Sequence, residues 1–111
     1  MQELKTVLEG LGLPVAYNHF NTETNPPFVV YSRESTNNFS ADNKVYKKIN
    51  NYIVELYSDY KNIELENNLE NIFDENNIFY NVEIEDYIDT EQIYRVRYVV
   101  SIENEDIIQS I

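Results

Sequence analysis

The sequence predicts an α+β domain in which two helices pack on a mostly antiparallel sheet of about five strands, in the order α-β-β-β-α-β-β. Three observations predict it. Two segments carry apolar residues at helical spacing, and five others alternate or run apolar between turn-forming residues. The 111 residues include 12 Ile and 10 Tyr but only two Gly and three Pro, a composition that favours sheet and opposes disorder.

Taken in order, Glu3 to Leu11 places Leu4, Val7, Leu8 and Leu11 at the i, i+3, i+4, i+7 spacing of an amphipathic helix, which Gly10 and Gly12 stop. Leu13 to Phe20 alternates weakly and contains Pro14, so a short edge strand is expected. Asn21 to Pro27 is a turn cluster ending in Pro26-Pro27. Phe28 to Arg33, continuous in β-branched and aromatic residues, reads as a well-buried strand. Glu34 to Asn43 is polar apart from Phe39 and Ala41, and reads as a mobile hairpin arm.

Val45 to Tyr57 is long for one strand, and its apolar residues change parity midway, which predicts a bulge near Asn50-Asn51. Leu65, Leu69, Ile72 and Phe73 then mark a second helix, with Asp59 or Asn62 as N-cap, Glu64 and Glu66 in its first turn, and an end near Asn76-Asn77. Ile78 to Ile88 and Ile93 to Ile102 form a hairpin through Asp89-Thr90-Glu91. In its last strand Tyr94, Val96, Tyr98, Val100 and Ile102 share one face, and Arg95, Arg97, Ser101 and Glu103 the other. One domain over residues 1–103 and a short polar tail over 104–111 are therefore expected.

Charge is the strongest compositional signal. Eight basic residues face 20 acidic ones, a net charge of −12. Residues 1–63 carry seven acids and six bases, whereas residues 64–111 carry thirteen acids and two bases. Such a surface repels nucleic-acid phosphates and anionic lipid, so neither specific nucleic-acid binding nor membrane binding is expected. The simplest reading is an acidic, solvated surface that maintains solubility. No stretch approaches the roughly 18 apolar residues of a membrane span, and Met1 to Gly12 lacks the apolar core of a signal peptide. The chain reads as soluble and intracellular.

Chemistry is sparsely provided. Without Cys and with His19 alone, thiolate zinc sites, cysteine nucleophiles and two-imidazole clusters are excluded. No serine lies in an elbow motif, and His19 reads more simply as a strand-edge side chain. Glu83 and Glu85, two apart on one strand, would share a face and could hold a hard cation or a proton, although an exposed acidic strand face is the simpler reading. Asp42-Asn43-Lys44 lacks the remaining ligands of a calcium loop, and no Gly-rich phosphate loop is present. Neither cofactor nor metal is implied, and no enzymatic activity is expected. A charge constellation remains: Lys44, Lys47 and Lys48 lie on the nearly neutral half, opposite in sign to the acidic half, so copies could attract head to tail.

The run Leu13-Pro14-Val15-Ala16-Tyr17-Asn18-His19-Phe20, then Pro27-Phe28-Val29-Val30-Tyr31, and above all Ala41-Asp42-Asn43-Lys44-Val45-Tyr46 leading to Tyr52-Ile53-Val54-Glu55-Leu56-Tyr57, resembles the tail-terminator or tail-completion (head-to-tail joining) proteins of long-tailed bacteriophages and prophages. The similarity covers about Leu4 to Ile102 and rests on pattern and element order. It implies an α+β domain that closes into a hexameric ring on the finished tail tube and presents a face to the head connector. By this resemblance Glu34 to Asn43 is the family's extended loop, with Phe39 as its apolar anchor, and Lys44, Lys47 and Lys48 lie near a subunit boundary. The implied partners are further copies of the chain, the tail tube protein and connector proteins. The implied location is the virion tail or neck, with the bacterial host cytoplasm during assembly. DNA passes such a lumen unbound, which suits an acidic lining. Related domains serve as connector adaptors and tube proteins, so the position within the neck stays open. The alternative reading is an acidic monomeric inhibitor or DNA mimic that binds a basic partner.

Overall fold

Leu4, Val7 and Leu8 fall on one side of two helical turns and are all buried, which seats the first helix, α1 (Leu4–Glu9), in the core. Gly12, at φ 83, then takes the left-handed turn that a side chain disfavours. The computed structural model describes the backbone of residues 4–41 and 44–103 and the side chains of residues 4–34 and 49–102. The expected tail at 104–111 and the orientation of Glu103 lie outside the described residues.

Five strands follow the expected order: β1 (Val15–Tyr17), β2 (Phe28–Ala41), β3 (Lys44–Ser58), then after the second helix α2 (Ile63–Glu75), β4 (Phe79–Ile88) and β5 (Ile93–Glu103). They form one sheet in the order β1-β2-β3-β5-β4, antiparallel except for the edge pair β1 and β2. β5 thus inserts between β3 and β4, and α2 spans the crossover between those two strands.

Pairing across the ladder fixes the faces. Tyr31, Val54, Tyr98 and Val82 form one row, and Val29, Leu56 and Val96 the next on the same side. Leu4, Val7 and Leu8 of α1 and Leu69 and Phe73 of α2 join these rows in a single core. The opposite face bears Val30, Glu55, Arg97 and Ile84 in a row and is covered by neither helix. The fold class read from the sequence is the fold observed, with both helices on one face.

α2 begins where Asn62 accepts a hydrogen bond from the Leu65 amide at 3.1 Å, and it ends at Asn76. The β4–β5 turn closes with the Glu91 amide donating to the Ile88 carbonyl at 3.1 Å and Gln92 at φ 53. In β5, Val96, Tyr98, Val100 and Ile102 are buried as the alternation predicts.

Four local expectations differ from the structure. The strand expected to end at Arg33 continues to Ala41, so the segment read as a hairpin arm is itself strand, paired with β3 as far as Lys44, with Asp42 and Asn43 outside the described residues. The segment's partners in β3 run from Asn51 through Asn50, Lys48 and Lys47 to Lys44 and are mostly polar themselves, so backbone pairing carried on from the Phe28–Arg33 ladder decides its conformation. The bulge falls on β2, where Glu34 is the extra residue between Arg33, paired with Tyr52, and Ser35, paired with Asn51. β3 itself keeps an unbroken register with β5 from Ile49 to Ser58. In the strand expected to be well buried, only Val29 is fully enclosed, because Phe28 and Val30 point to the uncovered face. Lastly, β4 bulges between Val82 and Ile84, so Glu83 and Glu85 leave on opposite faces.

Candidate interaction surface

β3 outruns β5. Its pairing with β5 stops at Ile49, while its pairing with β2 continues to Lys44, so the last part of the β2–β3 hairpin is a two-stranded ribbon among the described residues. Phe39 stands directly opposite Lys47, Asn38 opposite Lys48, and Ala41 opposite Lys44. The four residues singled out from the sequence are thus brought together by backbone register, although their side chains lie outside the described residues. A second bulge, between Phe39 and Ser40, shifts the register within this ribbon.

Away from the ribbon, toward the other end of β3, the uncovered face is tied down by ion pairs. Arg95 forks onto Asp86, with Nε to Oδ1 at 3.0 Å and Nη2 to Oδ2 at 2.8 Å. Arg97 donates from Nε to Glu55 at 2.9 Å and lies 3.4 Å from Glu83. Glu55 also accepts from the Tyr57 hydroxyl at 3.2 Å and lies 3.5 Å from Arg95. The hydrogen bonds from Arg95 hold the Asp86 carboxyl below its ordinary value. Burial, with Glu55 beside it, pushes the Tyr57 phenol up. The only two bases of residues 64–111 are therefore consumed within the chain.

At the far end of β3 from the ribbon, a cleft of about 550 Å³ opens where the β1–β2 connection folds onto the uncovered face. Its apolar wall is an aromatic stack: Phe20 lies edge-on to Phe28 at 5.3 Å, and Phe28 stacks on Tyr57 at 5.0 Å with planes 25° apart. Glu23, Asp59 and Glu91, all exposed, line it from three separate segments. His19 also reaches it, and among the described residues no Lys or Arg does. A smaller hollow of about 360 Å³ on the helix side has the opposite character, with Lys5 and Arg33 among Tyr17, Tyr31 and Tyr52.

Beneath α2 sits a third polar group. Lys61 bonds both Glu66, at 2.7 Å, and Glu85. Desolvation works against the ammonium, but these two carboxylates outweigh it and raise the Lys61 pKa. Glu66 is buried, and its Oε2 accepts from no described residue. Close by, Glu70 accepts from the Tyr98 hydroxyl at 2.9 Å and the Tyr80 hydroxyl at 3.4 Å. Burial first, and Glu70 second, push the Tyr98 phenol well above its ordinary value. These contacts bind α2 to the sheet.

Chemically, the arrangement offers recognition surfaces of opposite sign. Glu83 reaches Arg97 on one face and Glu85 reaches Lys61 on the other, so the pair read from the sequence cannot act on one cation or proton. Among the described residues no three His, Asp or Glu side chains are grouped to hold a metal ion, and no helix is long and apolar enough to cross a membrane. The cleft escaped the sequence reading because its walls come from residues 18–30, 55–59 and 91–93, which no local motif connects. Compared with models of known protein families and with the curated proteins, the chain matches none.

Proposed function

We propose that the chain is a structural, non-enzymatic component of a phage tail or neck, a tail-terminator-like subunit that assembles head to tail into a ring, caps the tail tube and meets the head connector. The observation that supports this reading most is the ribbon, which carries Phe39, Lys44, Lys47 and Lys48 past the end of β5 while the acidic residues concentrate on α2, β4 and the β4–β5 turn. A surface divided in this way suits a contact between unlike patches, the kind that closes rings. The hexamer, the tube and the connector come from the family resemblance of the sequence. An acidic lumen would let DNA slide without holding its phosphates.

Light scattering coupled to size exclusion tests the ring directly. A species of six chains, about 79 kDa from 13.2 kDa each, that dissociates as salt rises supports it. A double substitution, Phe39→Ala with Lys47→Glu, should abolish assembly and tail-tube binding while leaving the circular dichroism unchanged. A monomer at every concentration that also fails to bind purified tail tubes overturns the reading. Tight, salt-sensitive, one-to-one binding of a basic protein by that monomer would replace it with the acidic-inhibitor reading.

A further inference from the structure

We propose that the aromatic and acidic cleft is the socket for the lysine-bearing ribbon of a second copy of this chain. The inference rests on the ring reading and specifies where its contact lies. The cleft is lined by the stacked rings of Phe28 and Tyr57 together with the carboxylates of Glu23, Asp59 and Glu91, and among the described residues no Lys or Arg lines it. Aromatic faces and carboxylates around a hollow this size favour ammonium or guanidinium groups, which the rings attract electrostatically and the acids pair. Arg95 and Arg97 are already bound on the sheet face, and Lys61 is bound to Glu66 and Glu85. Of the other four lysines, the sequence concentrates three in one place, at 44, 47 and 48, and the fourth, Lys5, lies in the hollow on the helix side.

Those lysines cannot reach the cleft of their own chain. Lys47 and Tyr57 stand on the same continuous strand ten residues apart, about 33 Å at 3.3 Å per residue, in a molecule 51 Å long. Socket and ribbon thus sit at opposite ends of β3. The complementary pair is satisfied only between molecules, and the contact is of unlike patches, the kind that propagates around a ring. The ribbon also suits insertion, because its two-stranded backbone brings three lysines within five residues past the end of β5.

Two full-length variants test this. One neutralises the socket (Glu23→Gln, Asp59→Asn, Glu91→Gln), three exposed residues outside the ion-pair network. The other neutralises the ribbon (Lys44→Gln, Lys47→Gln, Lys48→Gln). With folding checked by circular dichroism, each alone should self-associate at least about tenfold more weakly than the parent. Mixed together they should form a one-to-one pair that grows no further, since only one socket and one ribbon remain intact. Reversing all six charges in one chain should restore assembly. If the socket variant assembles like the parent, the proposed contact is overturned while the ring reading stands. If it loses tail-tube binding but not self-association, the occupant is the tube, and a second copy is excluded. If the parent neither self-associates nor binds tubes and the mixture does not pair, both the contact and the ring reading are overturned.

Discussion

Tyr98 provides a prediction whose magnitude changes with pH in a fixed direction. Its side chain is fully buried, edge-on to Phe73 at 5.7 Å and to Tyr80 at 6.0 Å, and its hydroxyl donates to Glu70 at 2.9 Å. Tyr98→Phe keeps the ring packing and removes only that bond. A hydrogen bond to a charged group contributes about 1.5–3 kcal/mol, and the lower end applies because Glu70 is half-buried and water can replace the phenol. The variant should therefore lose about 1.5 kcal/mol at pH 8, or about 5 °C in melting midpoint. Because burial and Glu70 raise the folded-state pKa, Tyr98 stays protonated in the folded protein beyond pH 10, while in the unfolded chain it ionises near 10. Its contribution is complete below pH 10 and declines above it. At pH 11 the unfolded parent gains RT ln(1 + 10), about 1.4 kcal/mol, which the Phe variant cannot gain. The gap between the two proteins should then nearly vanish. Urea unfolding of both at pH 8 and pH 11 measures it, and an equal gap at the two pH values refutes the reasoning.

Other outcomes follow from the same geometry. The Asp86 carboxyl, held down by the bidentate Arg95, should titrate by NMR below 3.8, and its contribution to stability should disappear only as pH falls through that lowered value. Arg95→Met should raise its midpoint. Asn62→Ala should cost about 1 kcal/mol in urea unfolding with an unchanged slope, whereas Asn62→Asp should retain the cap and favour the helix N-terminus. Because the bulge at Glu83 sends Glu83 and Glu85 to opposite faces, the stability effects of Glu83→Gln and Glu85→Gln should add to within about 0.5 kcal/mol in a double-mutant cycle. Coupling well beyond that would mean the two carboxylates face each other.

Elements whose geometry is local were legible in the chain. The spacing of Leu65, Leu69, Ile72 and Phe73, with Asn62 ahead of them, contains α2, and the alternation from Tyr94 to Ile102 contains β5 and its buried face. Features that belong to pairs of strands were not. The parity change around Asn50-Asn51 reveals that one strand carries an extra residue, but only the pairing shows that Glu34 of β2 is that residue. The split of Glu83 from Glu85 has the same origin. Glu66 read only as a first-turn acid, yet it is buried and Lys61, itself exposed, reaches back to it. Of the candidate surface, the lysines were visible as charge, whereas the socket required residues far apart in sequence to meet.

The position of β5 between β3 and β4 also imposes an order of events on the chain. The β2–β3 and β4–β5 hairpins close over short loops, but joining them pairs Ser58 with Tyr94 and Ile49 with Glu103, which must await closure of the much longer loop through α2. The cleft draws Phe28, Tyr57 and Asp59 from the first hairpin and Glu91, Gln92 and Ile93 from the second. Neither hairpin alone possesses it. On the proposed contact, a nascent chain that has formed its ribbon would find no complete socket on another half-folded chain, so association would wait until each chain has finished folding.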